Sequence, residues 1–98
     1  MSLGPEDRGV LEKIIDGAIM EIPTQMLAFR DPRIMELMAI KEQNDLIIGM
    51  ALGYIVGRFL TYFFANHIRV ATFEELLEVY QAVLKRSAEL RSAIFKPE

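Results

Sequence analysis

Apolar positions along this chain fall into helical stripes set apart by proline-marked or polar breaks. Val10, Leu11, Ile14, Ile15, Ala18, Ile19 and Ile22 recur at spacings of three and four, with Glu12, Lys13, Asp16 and Glu21 mostly opposite them. Pro5 suits a first helical position, and Glu6 and Asp7 complement the positive end of the helix dipole. Pro23 disfavours helical geometry at Ile22, so the first helix is predicted over residues 6–21. Thr24 to Arg30 reads as a turn or two of helix. Asp31-Pro32 then pairs a capping residue with a helix-starting proline, opening a second helix through Ile34, Leu37, Met38 and Ile40 or Lys41. The next five residues, Lys41 to Asp45, would point all around a helix axis. They read as a solvated joint with Asp45 capping the next helix. The alternative is one continuous rod, because Lys, Glu and Gln are good helix formers.

The stretch that follows organises the chain. From Leu46 to Ala65, twenty residues carry one charge, Arg58, and three glycines four apart, Gly49, Gly53 and Gly57. A helix over 46–67 has three surfaces when its residues are stepped around the axis. Gly49, Gly53 and Gly57 lie on one smooth face with Leu46, Leu60 and Phe64 nearby. Ile48, Leu52, Ile55, Val56, Phe59 and Phe63 make a bulky wall. A weakly polar seam holds Tyr54, Arg58, Thr61 and Tyr62 with Ile47, Ala51 and Ala65. Asn66 to Ala71 lose the stripe and read as a connection. Thr72 and Glu75 form a capping box. A last helix then runs through Phe73, Leu76, Leu77, Tyr80, Val83, Leu84, Leu90, Ile94 and Phe95 until Pro97. Its acids come first (Glu74, Glu75, Glu78) and its bases last (Lys85, Arg86, Arg91, Lys96), the order the helix dipole favours.

No segment alternates with period two, so the fold class is all-α. The expectation is a single domain over 1–98, a small bundle of about four helices around the long apolar helix, completed by oligomerisation. Ninety-eight residues leave no room for a second domain. The chain is 52% apolar and 26% charged, with a net charge of −3, which argues against a nucleic-acid binder. There is no cysteine, so disulfides and thiolate metal sites are excluded. Residues 1–9 lack the basic-then-apolar order of a secretory signal, and a cytoplasmic location is expected.

Each interior glycine costs a helix about 1 kcal/mol relative to alanine. Three at one spacing point to a close helix–helix approach, within or between subunits. The plainer reading is that each merely faces a bulky side chain of its own chain. Helices so few cover about two sides of the central one, so the remaining face calls for a second copy. A two-fold homodimer is the commonest closed solution, and a higher homo-oligomer is the other form. The expected interface is Gly49, Gly53, Gly57, Leu60 and Phe64.

Twenty residues also reach about 30 Å, enough to cross a bilayer. Asp45 and Glu42 on one flank, with His67 and Arg69 on the other, would place the C-terminal side in the cytoplasm. Arg58 within the span opposes this, and so do the amphipathic helices on either side, which need a partner surface. A soluble fold is preferred and a single membrane span is the alternative.

The chemistry candidates are few. Arg58 lies one turn from Tyr54 and one from Tyr62, so the three can share a face as an anion-binding pocket. Against that stands a structural arginine paired with Asp16, Glu36, Asp45 or a neighbouring subunit. His67, the only histidine, reads as a dipole-compensating or solvated residue before it reads as an acid–base group. Glu12 with Asp16, and Glu75 with Glu78, share helix faces that could hold Mg²⁺, but the apolar helix has no acid after Asp45 to join them. The basic end of the last helix lacks interleaved aromatics. Methionines such as Met20, Met26, Met35, Met38 and Met50 are core filler before they are an adaptable groove. No phosphate loop, dinucleotide fingerprint, nucleophile elbow or zinc motif occurs, and no metal or cofactor is called for. The function expected is therefore a small self-associating interaction or assembly module. A membrane protein comes second, and a ligand-binding or enzymatic pocket at Arg58 third.

Overall fold

The computed structural model describes residues 2–25, 31–37, 39 and 41–95, with no strand among them. Five helices appear in these residues: α1 (Pro5–Gln25), α2 (Pro32–Leu37), α3 (Gln43–His67), α4 (Phe73–Lys85) and α5 (Ser87–Ile94). The fold class is all-α, as its periodicity predicts.

Helix α1 begins where Pro5 and the acids predict, its first turn closed by the Arg8 N–H donating to Gly4 O at 3.0 Å. It does not end before Pro23 but carries that proline inside it and reaches Gln25. Burial explains the difference. Ile22, the residue Pro23 should push out of helical geometry, is the last member of the buried row Leu11, Ile15, Ala18, Ile22. Proline forfeits one backbone bond close to a helix end, where carbonyls lack partners anyway. Burying a whole isoleucine side chain is worth about 1.5–3 kcal/mol and keeps the turn intact.

Asp31 starts α2 as expected, its backbone O accepting from Ile34 and Met35 and its side chain from the Arg33 N–H. The helix stops at Leu37, six residues long with none buried, and Ala39 takes a left-handed φ of 52°. Met38 and Ile40, expected on this helix, lie outside the described residues, as do Met26 to Arg30. A break does separate α2 from α3, but it lies earlier than the expected 41–45 run, between Leu37 and Gln43. Glu42 is non-helical and α3 starts at Gln43, which puts Asp45 in its first turn instead of at its cap.

The capping box of α4 is complete: Thr72 N–H donates to Glu75 Oε1 at 2.8 Å, and Glu75 N–H to Thr72 Oγ1 at 3.2 Å. The last helix is not continuous, however. Arg86 leaves helical geometry, its N–H bonding back to Val83 O, and α5 starts at the next residue. Leu90 and Ile94 of α5 are buried in the core.

Ion pairs and contacts give the topology. Asp7 meets the C-terminal end of α3 and Glu21 its middle, so α1 and α3 run antiparallel. The start of α4 lies near Arg69 and its end near Ile48 and Leu52, so α4 is antiparallel to α3 as well. Phe59, Phe63 and Ile55 of α3 fill the centre. The buried side of α3 is rotated toward the expected seam. Ile47 and Ala51 are buried, while Ile48 and Leu52 are only half so. The cause is α1, which packs on that side and takes the two tyrosines as hydrogen-bond partners.

Candidate functional site

Two groups of side chains and one bare face are the features with functional content. The bare face is the glycine track. A Cβ built on Gly49, Gly53 or Gly57 would meet nothing within 4 Å among the described residues. Their φ angles are ordinary, so no turn requires glycine there. Around them Met50 and Phe64 are exposed, Phe64 to 54%, and Leu60 is half-buried. Next to Gly53 and Gly57 lies an open depression of about 440 Å³ rimmed by Tyr54, Arg58 and Thr61.

Arg58 sits at that rim, half exposed. Its Nη1 donates to the Tyr54 hydroxyl oxygen at 2.9 Å and to Glu21 Oε2 at 3.2 Å, and Tyr54 O–H also donates to Glu21 Oε2, at 2.7 Å. The partner is thus an acid of α1 that the sequence did not single out. Glu21 reaches Arg58 because the helix continues through this turn. Tyr54 and Arg58 are brought together, whereas Tyr62 is not with them. Its O–H donates to Asp7 Oδ1 at 2.9 Å, on the side facing the start of α1.

Asp7 is the centre of the second group. Only 6% exposed, it accepts from Tyr62 on one oxygen and from His67 Nε2, at 2.8 Å, on the other. Burial, and then the carboxylate itself, push the Tyr62 hydroxyl up to about 12, so the phenol stays protonated and donates. The His67 ring stacks on Phe63 with centroids 4.3 Å apart, and the Arg69 guanidinium lies 5.0 Å from the centre of the same Phe63 ring. Arg69 in turn holds Glu75 through two hydrogen bonds, at 2.8 and 3.0 Å. That pairing, helped by the Thr72 N–H and hydroxyl contacts, brings the buried Glu75 carboxyl down to about 2. The start of α1, the end of α3 and the start of α4 are therefore tied by two polar groups that flank the Phe63 ring. The sign that could have exposed Asp7 was its register: it sits one turn before Leu11, in line with Leu11, Ile15, Ala18 and Ile22.

Glu12 and Asp16, the pair weighed as metal ligands, face a cation. Arg86, at the α4–α5 break, contacts Glu12 at 3.2 Å, Asp16 at 2.6 Å and Glu89 at 2.8 Å. Glu89 and Asp16 raise the Arg86 pKa further. Glu75 and Glu78 also part company, Glu78 accepting from Arg8 and from the Leu3 N–H. Arg86→Met would leave three carboxylates facing one another. Because they are half exposed, the expected loss is about 1 kcal/mol at neutral pH. Acid should erase it as the carboxylates protonate, which urea titrations at pH 7 and pH 3 would register.

Comparisons with protein families, with curated proteins and with solved structures found no match.

Proposed function

We propose that this protein is a small self-associating helical module whose contact surface is the glycine face of α3. The observation that carries the reading is the row of three glycines four apart on α3 with nothing among the described residues against them; Gly9 and Gly17 of α1 are also open but form no such row. Inside one chain each costs about 1 kcal/mol and returns nothing, since alanine would fit. Against a second helix the same positions permit close backbone approach.

Light scattering on the protein purified without detergent tests the reading, with a mass of two or more chains expected. A single-chain mass at tens of micromolar would sink it. Gly53→Leu should return the particle to one chain while leaving its helicity intact, because leucine is the better helix former. An oligomer unaltered by that change would move the contact elsewhere. Recovery only in detergent is the other outcome to watch. Residues Asn44–His67 are long and apolar enough to cross a membrane. That result would replace the module with a membrane span.

A further inference from the structure

We infer that the apolar groove between α3, α4 and α5 binds a free aliphatic carboxylate, with the alkyl chain along the groove and the carboxylate at Arg91 and Ser87. The inference stands apart from self-association, because none of the three glycines of α3 lines this groove. Half-buried Ile48 and Leu52 of α3 and exposed Leu84 of α4 form its walls, and buried Leu90 and Ile94 of α5 form its floor. No carboxylate lines it. Its polar residues are Ser87 and Arg91, one turn apart on α5. The space is small, about 80 Å³, where ordinary ligand pockets hold roughly 300–1,000 Å³. It suits a slender chain and not a ring system.

Charge selects the ligand's head. Arg8, Arg33, Arg58, Arg69 and Arg86 each hold a carboxylate of this chain. Arg91 holds none among the described residues, and neither its guanidinium nor the Ser87 hydroxyl has a hydrogen-bond partner there. The arginine left without an acid is therefore the one beside the apolar groove. A guanidinium presents paired N–H donors that match a carboxylate, and a serine hydroxyl adds one more. Leu84, 63% exposed, leaves apolar surface in water that an alkyl chain would cover. A peptide C-terminus carries the same carboxylate, but it also brings backbone N–H and C=O groups that need partners. The apolar walls offer none, so a free acid fits the groove better than a chain end.

Octanoate titrated into the full chain, followed by NMR of its Ile and Leu methyl groups, tests the inference. Saturable shifts are expected at Ile48, Leu52, Leu84, Leu90 and Ile94, with a Kd of about 1 mM or tighter. Arg91→Gln should weaken binding about tenfold, the worth of one hydrogen bond to a charged group. Leu84→Glu, which sets an acid in the groove, should abolish it. Both positions are exposed, so both variants should keep the parent's helicity by circular dichroism. Octylamine has the same chain and the opposite charge and should leave these methyls unmoved. Equal affinity for octylamine, or an unchanged affinity in Arg91→Gln, would overturn the assignment of the carboxylate to Arg91. N-acetylleucine, a mimic of a peptide end, should bind more weakly than octanoate, and tighter binding would overturn the choice of a free acid. No saturable shift up to about 10 mM octanoate would overturn the site itself.

Discussion

Truncating Phe59 to alanine is expected to lower the free energy of unfolding by about 3–5 kcal/mol, the largest single effect anticipated. Its side chain is 0% exposed and sits where α3 meets the rest of the bundle. Tyr62 and Phe63 flank it with ring centroids 5.8 and 6.0 Å away. Both neighbours are held elsewhere, Tyr62 by Asp7 and Phe63 between His67 and Arg69, so neither can move to fill the space. A domain of this size has about 5–15 kcal/mol in all, so roughly a fifth or more of it should go. Urea unfolding followed by circular dichroism is the measurement. A midpoint shift equivalent to less than about 1 kcal/mol would mean that the core collapses around the gap.

Glu75→Gln is the second large effect, and it carries a pH signature. In the folded chain the Glu75 carboxyl is held down to about 2, mainly by Arg69, against an ordinary 4.5. Its native pKa is depressed, so its contribution is complete above about 4.5 and drains away as pH falls from there through about 2. The span of the shift corresponds to roughly 3 kcal/mol. Arg69 is 35% exposed and gives some of that back to solvent, which leaves an expectation of about 2 kcal/mol. Glutamine retains an oxygen for the Thr72 N–H, so the change removes the charge and spares much of the cap. The variant should be less stable than the parent at pH 7 and should approach it near pH 2. Equal stability at pH 7 would mean that the pair is worth no more than its desolvation cost.

These two residues differ in how visible they are in the sequence. Phe59 is readable as core because it lies in the middle of a twenty-residue apolar stretch, and any helical fold must bury that stretch's bulky wall. Glu75 is readable as a cap, since its distance from Thr72 is local, but its pairing with Arg69 depends on how the connection after α3 folds. Ile68 shows the same limit. A β-branched residue with a φ of 53° ends α3 by bonding back to Phe64 O, and no propensity would choose it for that place.

Around Arg58 the sequence carried part of the geometry. The one-turn spacing to Tyr54 is intrinsic to a helix, and the two side chains do meet. The equal spacing to Tyr62 does not bring it into the group, because α1 lies against α3 and Asp7 claims the phenol. Neither Glu21 nor Asp7 could be chosen as a partner before the antiparallel packing of α1 on α3 was known.

What the amino-acid order determines alone is whatever depends on neighbours within a turn or two: the helical stripes, the start signals at Pro5 and Asp31-Pro32, the capping box, and the four-residue spacing of the glycine row. Tertiary structure decided the rest. It carried α1 past Pro23, because burying Ile22 outweighs one lost backbone bond. It broke the last helix at Arg86, where the cation sits among three acids, and buried Leu90 and Ile94 beyond the break. It joined Asp7, Tyr62, His67, Arg69 and Glu75 across sixty-eight residues of sequence, because a buried carboxylate needs partners that only packing can deliver.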